Sequence, residues 1–114
     1  MAKHKYSFGC LEWRDKTYRK DVLILPDGEV IAPWKREHGH HLQVGDLVEV
    51  IEARPRVLII GTGQVGAMEV PDEVLAALAE RGIDAEPMPT AKAVKRFAEI
   101  RKEKRAAAAL HLTC

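Results

Sequence analysis

The stretch VLIIGTGQVGAMEVP, Val57 to Pro71, decides how the rest of the chain is read. A β-branched apolar run leads straight into Gly61-x-Gly63-x-x-Gly66, the spacing of a dinucleotide-binding loop. In such a loop the glycines allow a tight turn and close backbone approach. A helix then starts inside the motif and aims its N-terminus at the pyrophosphate. Here Ala67-Met68-Glu69-Val70 intervene before Pro71, and a proline inside a helix costs about 3 kcal/mol. The helix is therefore expected at Pro71, several residues too late for a phosphate. Asp84 stands at a ribose-binding distance in sequence, but where a strand begins rather than ends. We read the loop as a structural Gly-rich turn, with a non-nucleotide ligand as the remaining alternative.

Working outward, VLII has the continuous apolar character of a strand buried on both faces of a parallel sheet. PDEVLAALAERG follows as a helix, with Pro71 at its first position, acidic residues in its first turn, Gly82 past its end and Val74, Leu75 and Leu78 inward. IDAEPMP reads as a short strand. Thr90 is expected to cap a second helix bearing Val94, Phe97 and Ile100. This alternation predicts βαβ units with right-handed crossovers. Upstream, DLVEVIEAR reads as a helix capped by Asp46, with Leu47, Val48, Val50 and Ile51 among its apolar positions, and stopped by Pro55. Farther forward, YSFGCLEW alternates, with Tyr6, Phe8 and Cys10 on one face of a strand. Two more strands joined through Pro26-Asp27-Gly28 complete an antiparallel β-meander. KREHGHHLQVG is polar and reads as a loop. The tail, RAAAALHLTC, extends the preceding helix on propensity alone, and suits a strand only where small side chains are wanted between layers.

The 114 residues are expected to form one domain, 1–114, large enough to bury roughly 65% of its unfolded surface without staples. No apolar run approaches the ~20 residues of a membrane span, and the start shows no secretory signal, so a cytoplasmic protein is expected. Cys10 and Cys114 are then expected as free thiols. Charge is uneven: residues 1–20 carry a local +4, residues 69–86 a local −5 and residues 92–105 a local +5. The near-cancellation, +1 overall, argues against general nucleic-acid binding. Lys92, Lys95, Arg96, Arg101, Lys102 and Arg105 read as a solvated helix face, with Lys95 and Glu99 paired at i, i+4. His38 and His40 could share a face beside Glu37, with His41 next in sequence, but a zinc site wants three or four ligands in fixed geometry and the next plausible donor is not near, so no metal is expected, and no cofactor motif is present. Trp13 and Trp34 are expected in packing rather than at an interface.

Five segments together resemble one family: RDKTYRKDVLILPDG, PWKREHGHHL, VLIIGTGQVGAMEVP, MPTAKAVKRF and AAAALHLTC. They are similar, in that order, to the Mth938-like domain family, also called domain of unknown function 498. The resemblance implies a three-layer α/β fold whose mixed central sheet takes a βαβαβ C-terminal half after the front β-meander, and it makes the tail a strand. Two positions depart from the family: no glycine precedes the last strand, and Ala98 stands where an asparagine is common. Some eukaryotic relatives are linked to assembly of mitochondrial respiratory complex I, and another to adipocyte differentiation. No reaction or cofactor is implied.

With the last three strands parallel, their C-terminal ends share one edge, where open α/β sheets bind ligands. That edge gathers Gly61, Thr62, Gly63 and Gly66, the helix start at Pro89 and Thr90, and His111, Thr113 and Cys114. Its N–H groups can hold a small anion, or donate to the α-carboxylate of Cys114 as a self-made lock. Residues three apart on a strand point to opposite faces, so a simple His111–Cys114 catalytic pair is not expected. The family resemblance, with the absence of any convergent catalytic set, implies a non-catalytic module that binds a protein, as an assembly or accessory factor. The alternative is a small-ligand protein or minor enzyme using the Gly61–Gly66 edge with Thr90, His111 and Cys114.

Overall fold

The structure, a computed structural model, describes residues 4–101 and 103–114. Three short strands come first: β1 (His4–Ser7), β2 (Cys10–Trp13) and β3 (Lys16–Tyr18), paired antiparallel as a separate sheet. The expected single strand through Phe8 is instead a hairpin. Gly9 takes φ +71° and turns the chain, which throws Phe8 into solvent while Leu11 and Trp13 face inward. Strands β4 (Val22–Ile24) and β5 (Val30–Ile31) are joined, as expected, through the Pro26-Asp27-Gly28 turn. They belong to the main sheet and not to the front one, so the meander is divided between two sheets.

The main sheet has the order β5-β4-β8-β6-β7, with β6 (Val57–Gly61), β7 (Asp84–Met88) and β8 (Ala106–Leu110) parallel and β4 antiparallel to β8. This mixed sheet, crossed by helices α2 (Asp72–Glu80) and α3 (Thr90–Ile100), is the expected βαβαβ half. Alternation along its strands splits the core in two. Val22, Ile24, Val57 and Ile59 face α3 and the front sheet, where Trp13 and Phe97 pack. Leu23, Leu58 and Ile60 face the other side with Trp34, Leu42, Val74 and Leu78. The alanines of β8 are all buried between these layers. Large rings and branched side chains approach the sheet closely only because the central strand is narrow, and that packing overrides the helix propensity of an alanine run.

Several local expectations need correction. A 3₁₀ turn (Val44–Leu47) precedes helix α1 (Val48–Ala53), and Asp46 caps that turn from its third position by accepting the Gln43 N–H at 2.9 Å. Val48 is 47% exposed and off the apolar face, whereas Leu47 and Val50 are buried. Pro71 is the N-cap of α2 and not its first helical residue. Likewise Pro89 is the N-cap of α3, and Thr90 lies inside the helix with its hydroxyl turned to other partners. Both tryptophans are core residues, as expected. Arg96 pairs with Glu86 at 3.1 Å, while Arg101 folds against the Trp13 and Phe97 rings instead of joining a solvated face. The expected Lys95–Glu99 pair is not among the ion pairs of the described residues, and Lys102 lies outside them. Among the described residues no helix is long and apolar enough to cross a membrane.

Candidate functional site

The parallel strands end together, and the nine residues expected at that edge do meet there. Gly61 closes β6 against Thr90, whose hydroxyl oxygen would lie 2.9 Å from a Cβ added at that glycine. A side chain at Gly61 would therefore push α3 off the sheet. Thr90 is fully buried and joins three elements: its Oγ1 accepts the Gly63 N–H at 2.8 Å and donates to the His111 carbonyl at 2.6 Å. Its own N–H donates to the Gly63 carbonyl at 3.0 Å. Pro89 accepts the Ala93 N–H at 3.0 Å and so begins the helix beside the loop.

Across the loop, the N–H groups of six residues donate within the chain. Thr62 donates to Met88, Gly63 to the Thr90 hydroxyl, Gln64 to Thr113, Gly66 to Gly63, Ala67 to Cys114 and Met68 to Thr62. A pyrophosphate would need those donors free. The tail lies directly over Gly63, where φ is +109° and an added Cβ would overlap the main chain of Cys114. Residue 63 must therefore be glycine for both conformation and space. The tail is also held from the front sheet: the Gly9 N–H and the Tyr6 hydroxyl each donate to the Leu112 carbonyl at 2.7 Å.

Beneath the tail is a charged cluster that sequence reading missed. Asp21 Oδ2 lies 2.8 Å from both Arg36 Nη1 and His111 Nδ1, and Oδ1 accepts the Leu112 N–H at 2.7 Å. Arg36 stacks on Trp34 at 4.6 Å and donates Nε and Nη2 to the Gly39 carbonyl, so its side chain is 5% exposed. Burial pushes the Asp21 carboxyl up, but hydrogen bonds from His111, Leu112 and Arg36, with the Arg36 charge, outweigh it and hold the pKa below the usual carboxylate value. Burial, then the Asp21 charge, raises the Tyr6 pKa. Asp21 Oδ2 and Arg36 Nη2 both reach His111 Nδ1, at 2.8 and 3.1 Å, while Nε2 lies 3.5 Å from Thr113 Oγ1. Asp21 and Arg36 sit in segments that read as an ordinary strand approach and a polar loop. Only the adjacent Trp34 hinted that an arginine here has a ring to lie on.

The three loop histidines part company. His41 meets Glu69 at 3.0 Å in the open. His40 sets its ring edge-on to His111, 5.4 Å between centroids, with Nε2 3.7 Å from Cys114 Sγ. The thiol's imidazole neighbour is thus His40 rather than His111. Among the described residues no group of three or more histidine, cysteine, aspartate or glutamate side chains is arranged to hold a metal. Cys10 and Cys114 are both free thiols.

A family described as "Protein of unknown function (DUF498/DUF598)" matches residues 4–111. Among solved structures, the protein named MT938 is 31% identical, with a TM-score of 0.80 over 100% of both chains. A structure described as an outer membrane protein from Bartonella henselae is 26% identical, TM-score 0.80, over 96% of this chain and 92% of its own. A Bordetella pertussis protein described as a Mth938-like domain is 20% identical with a TM-score of 0.71, over 95% of this chain and 83% of its own, which shows shared fold alone. With the match over nearly its whole length and the three-layer architecture in place, this chain belongs to the Mth938-like, DUF498 family.

Proposed function

We propose that this chain is a non-catalytic protein-binding module, an assembly or accessory factor acting as one domain over residues 1–114 in the cytoplasm. One observation carries the reading: the edge where an α/β sheet would take a ligand is occupied by the chain's own residues 112–114, and two exposed apolar side chains stand beside that tail. Phe8 is 56% exposed and Val65 is 74% exposed. Their neighbours Gly9 and Gln64 donate to successive tail carbonyls, Leu112 and Thr113. A rigid, hydrogen-bonded backbone presenting an aromatic and a branched side chain is what a protein partner uses as an anchor point. The test is Phe8→Ser together with Val65→Ser. The double variant should keep the wild-type thermal midpoint yet lose a discrete complex that the native chain forms in extract of its own cells. A native chain that elutes alone near 12.7 kDa, or a variant that stays in the complex, would refute the proposal.

One contact favours a second reading, a small-ligand or anion site or minor enzyme at the same edge: Cys114 Sγ beside His40 Nε2 at 3.7 Å. Iodoacetamide alkylation separates the two. Chemistry at Cys114 requires a faster rate near neutral pH that falls in His40→Asn; equal rates in both proteins would remove this reading.

A further inference from the structure

Away from that edge, the β2–β3 turn meets the β4–β5 turn over a cavity of about 310 Å³, lined by Trp13, Arg14, Asp15, Lys16, Tyr18, Gly28 and Val30. Arg14 adopts φ +57°, a left-handed conformation that glycine or asparagine adopts at lower cost, so the turn carries an arginine against its backbone preference. The guanidinium it contributes is not alone. Arg14 Nη1 lies 3.3 Å from the point a Cβ would occupy on Gly28, and Arg101 Nη2 lies 3.6 Å from the same point. Two guanidinium groups thus converge over one glycine. Arg101 is held in place by the Trp13 and Phe97 rings, 5.3 and 5.7 Å away.

This convergence is uncompensated among the described residues, where neither Arg14 nor Arg101 has a carboxylate within ion-pair distance. Burial, and then the facing Arg14 charge, lower the Arg101 pKa, so the folded chain bears an opposed cation. The Trp13 indole N–H is also buried without an acceptor among these residues. Three other arginines are partnered: Arg81 and Arg105 donate to main-chain carbonyls, and Arg96 lies on Glu86. Arg14 and Lys16 against Asp15 leave the lining at +1, and Arg101 beside Gly28 brings the local charge to +2.

We infer that this cavity is a binding site for a small phosphate monoester, taken as its dianion. The dianion matches the uncompensated charge, which a single carboxylate would leave half unmet. Paired planar guanidinium groups suit phosphate oxygens, and Tyr18 and Val30 offer a wall to an organic substituent. The site shares no residue with the Gly61–Gly66 edge, so its failure leaves the protein-binding proposal standing.

Calorimetric titration with phenyl phosphate, inorganic phosphate and acetate tests it. Phenyl phosphate should bind saturably at one site, more tightly than inorganic phosphate, with acetate at least tenfold weaker than either. Arg14→Gly should lower the affinity at least tenfold while raising the thermal midpoint, because glycine relieves the positive φ. A merely structural arginine would give neither the affinity loss nor the opposed signs. Arg101→Gln should also weaken binding, and Arg81→Ala should not. Binding that does not saturate, that survives Arg14→Gly, or that falls equally in Arg81→Ala would overturn the inference.

Discussion

The Gly61–Gly66 edge and the cavity under the β2–β3 turn are assembled from similar parts, polar groups gathered by tight turns beside a helix end, and they finish in opposite states. At the edge, the N–H donors of Gly63, Gln64 and Ala67 each have an acceptor in the chain, and the tail covers them. Beside the cavity, the guanidinium groups of Arg14 and Arg101 converge on Gly28 with no carboxylate in ion-pair distance among the described residues. Buried polar groups that are satisfied stabilise a fold. Like charges held close together, as in exposed Arg14 and half-buried Arg101, repel one another, and an anion between them relieves that repulsion. The region spelled like a ligand site is therefore closed structure, and the one with no recognisable spelling is the better candidate for a ligand.

Perturbations of the two regions should separate accordingly, beginning with the edge. Gly63→Ala combines a forbidden φ with overlap on the Cys114 main chain, and should cost at least about 3 kcal/mol in urea unfolding or abolish folding. Asp21→Asn leaves the buried Arg36 without its counter-charge and should cost about 3 kcal/mol at neutral pH. It should also change the acid limb. The folded Asp21 pKa lies below the unfolded value, so its contribution is complete above about pH 4 and is lost as pH falls through the folded value. The native chain should weaken over that window, and Asp21→Asn should show less of the loss in unfolding followed by circular dichroism. Thr90→Val keeps the shape but strands the Gly63 N–H and the His111 carbonyl, at about 2 kcal/mol, with Thr90→Ser recovering most of it. The Phe8→Ser, Val65→Ser pair lies outside both networks and should shift stability by no more than about 0.5 kcal/mol, by the same unfolding measurement.

Much of the fold was legible because periodicity carries it. The β6–α2–β7–α3 order follows from an apolar run, two amphipathic stripes and their proline and glycine punctuation. The alanine tail was not legible from its own residues, since its strand conformation depends on Trp13, Phe97 and Trp34 packed against the sheet by distant segments. The split of YSFGCLEW into a hairpin rests on one glycine at positive φ, which alternation alone does not reveal. At the edge, topology assembled all nine expected residues, because parallel strands bring their ends together whatever the loops contain. What topology could not supply was Asp21 and Arg36. Charged residues in polar segments look solvated until a ring and a carbonyl are found to cover them.

The central claim, that the glycine edge is closed by the chain itself, is tested most directly by amide hydrogen exchange at Gly63, Gln64 and Ala67, measured alone and with a panel of nucleotides and small anions. Protection comparable with that of β6, unchanged by every compound, is the expected result. Exchange at unprotected rates, or protection that appears only on adding a nucleotide, would contradict it and return that loop to the role its glycines spell.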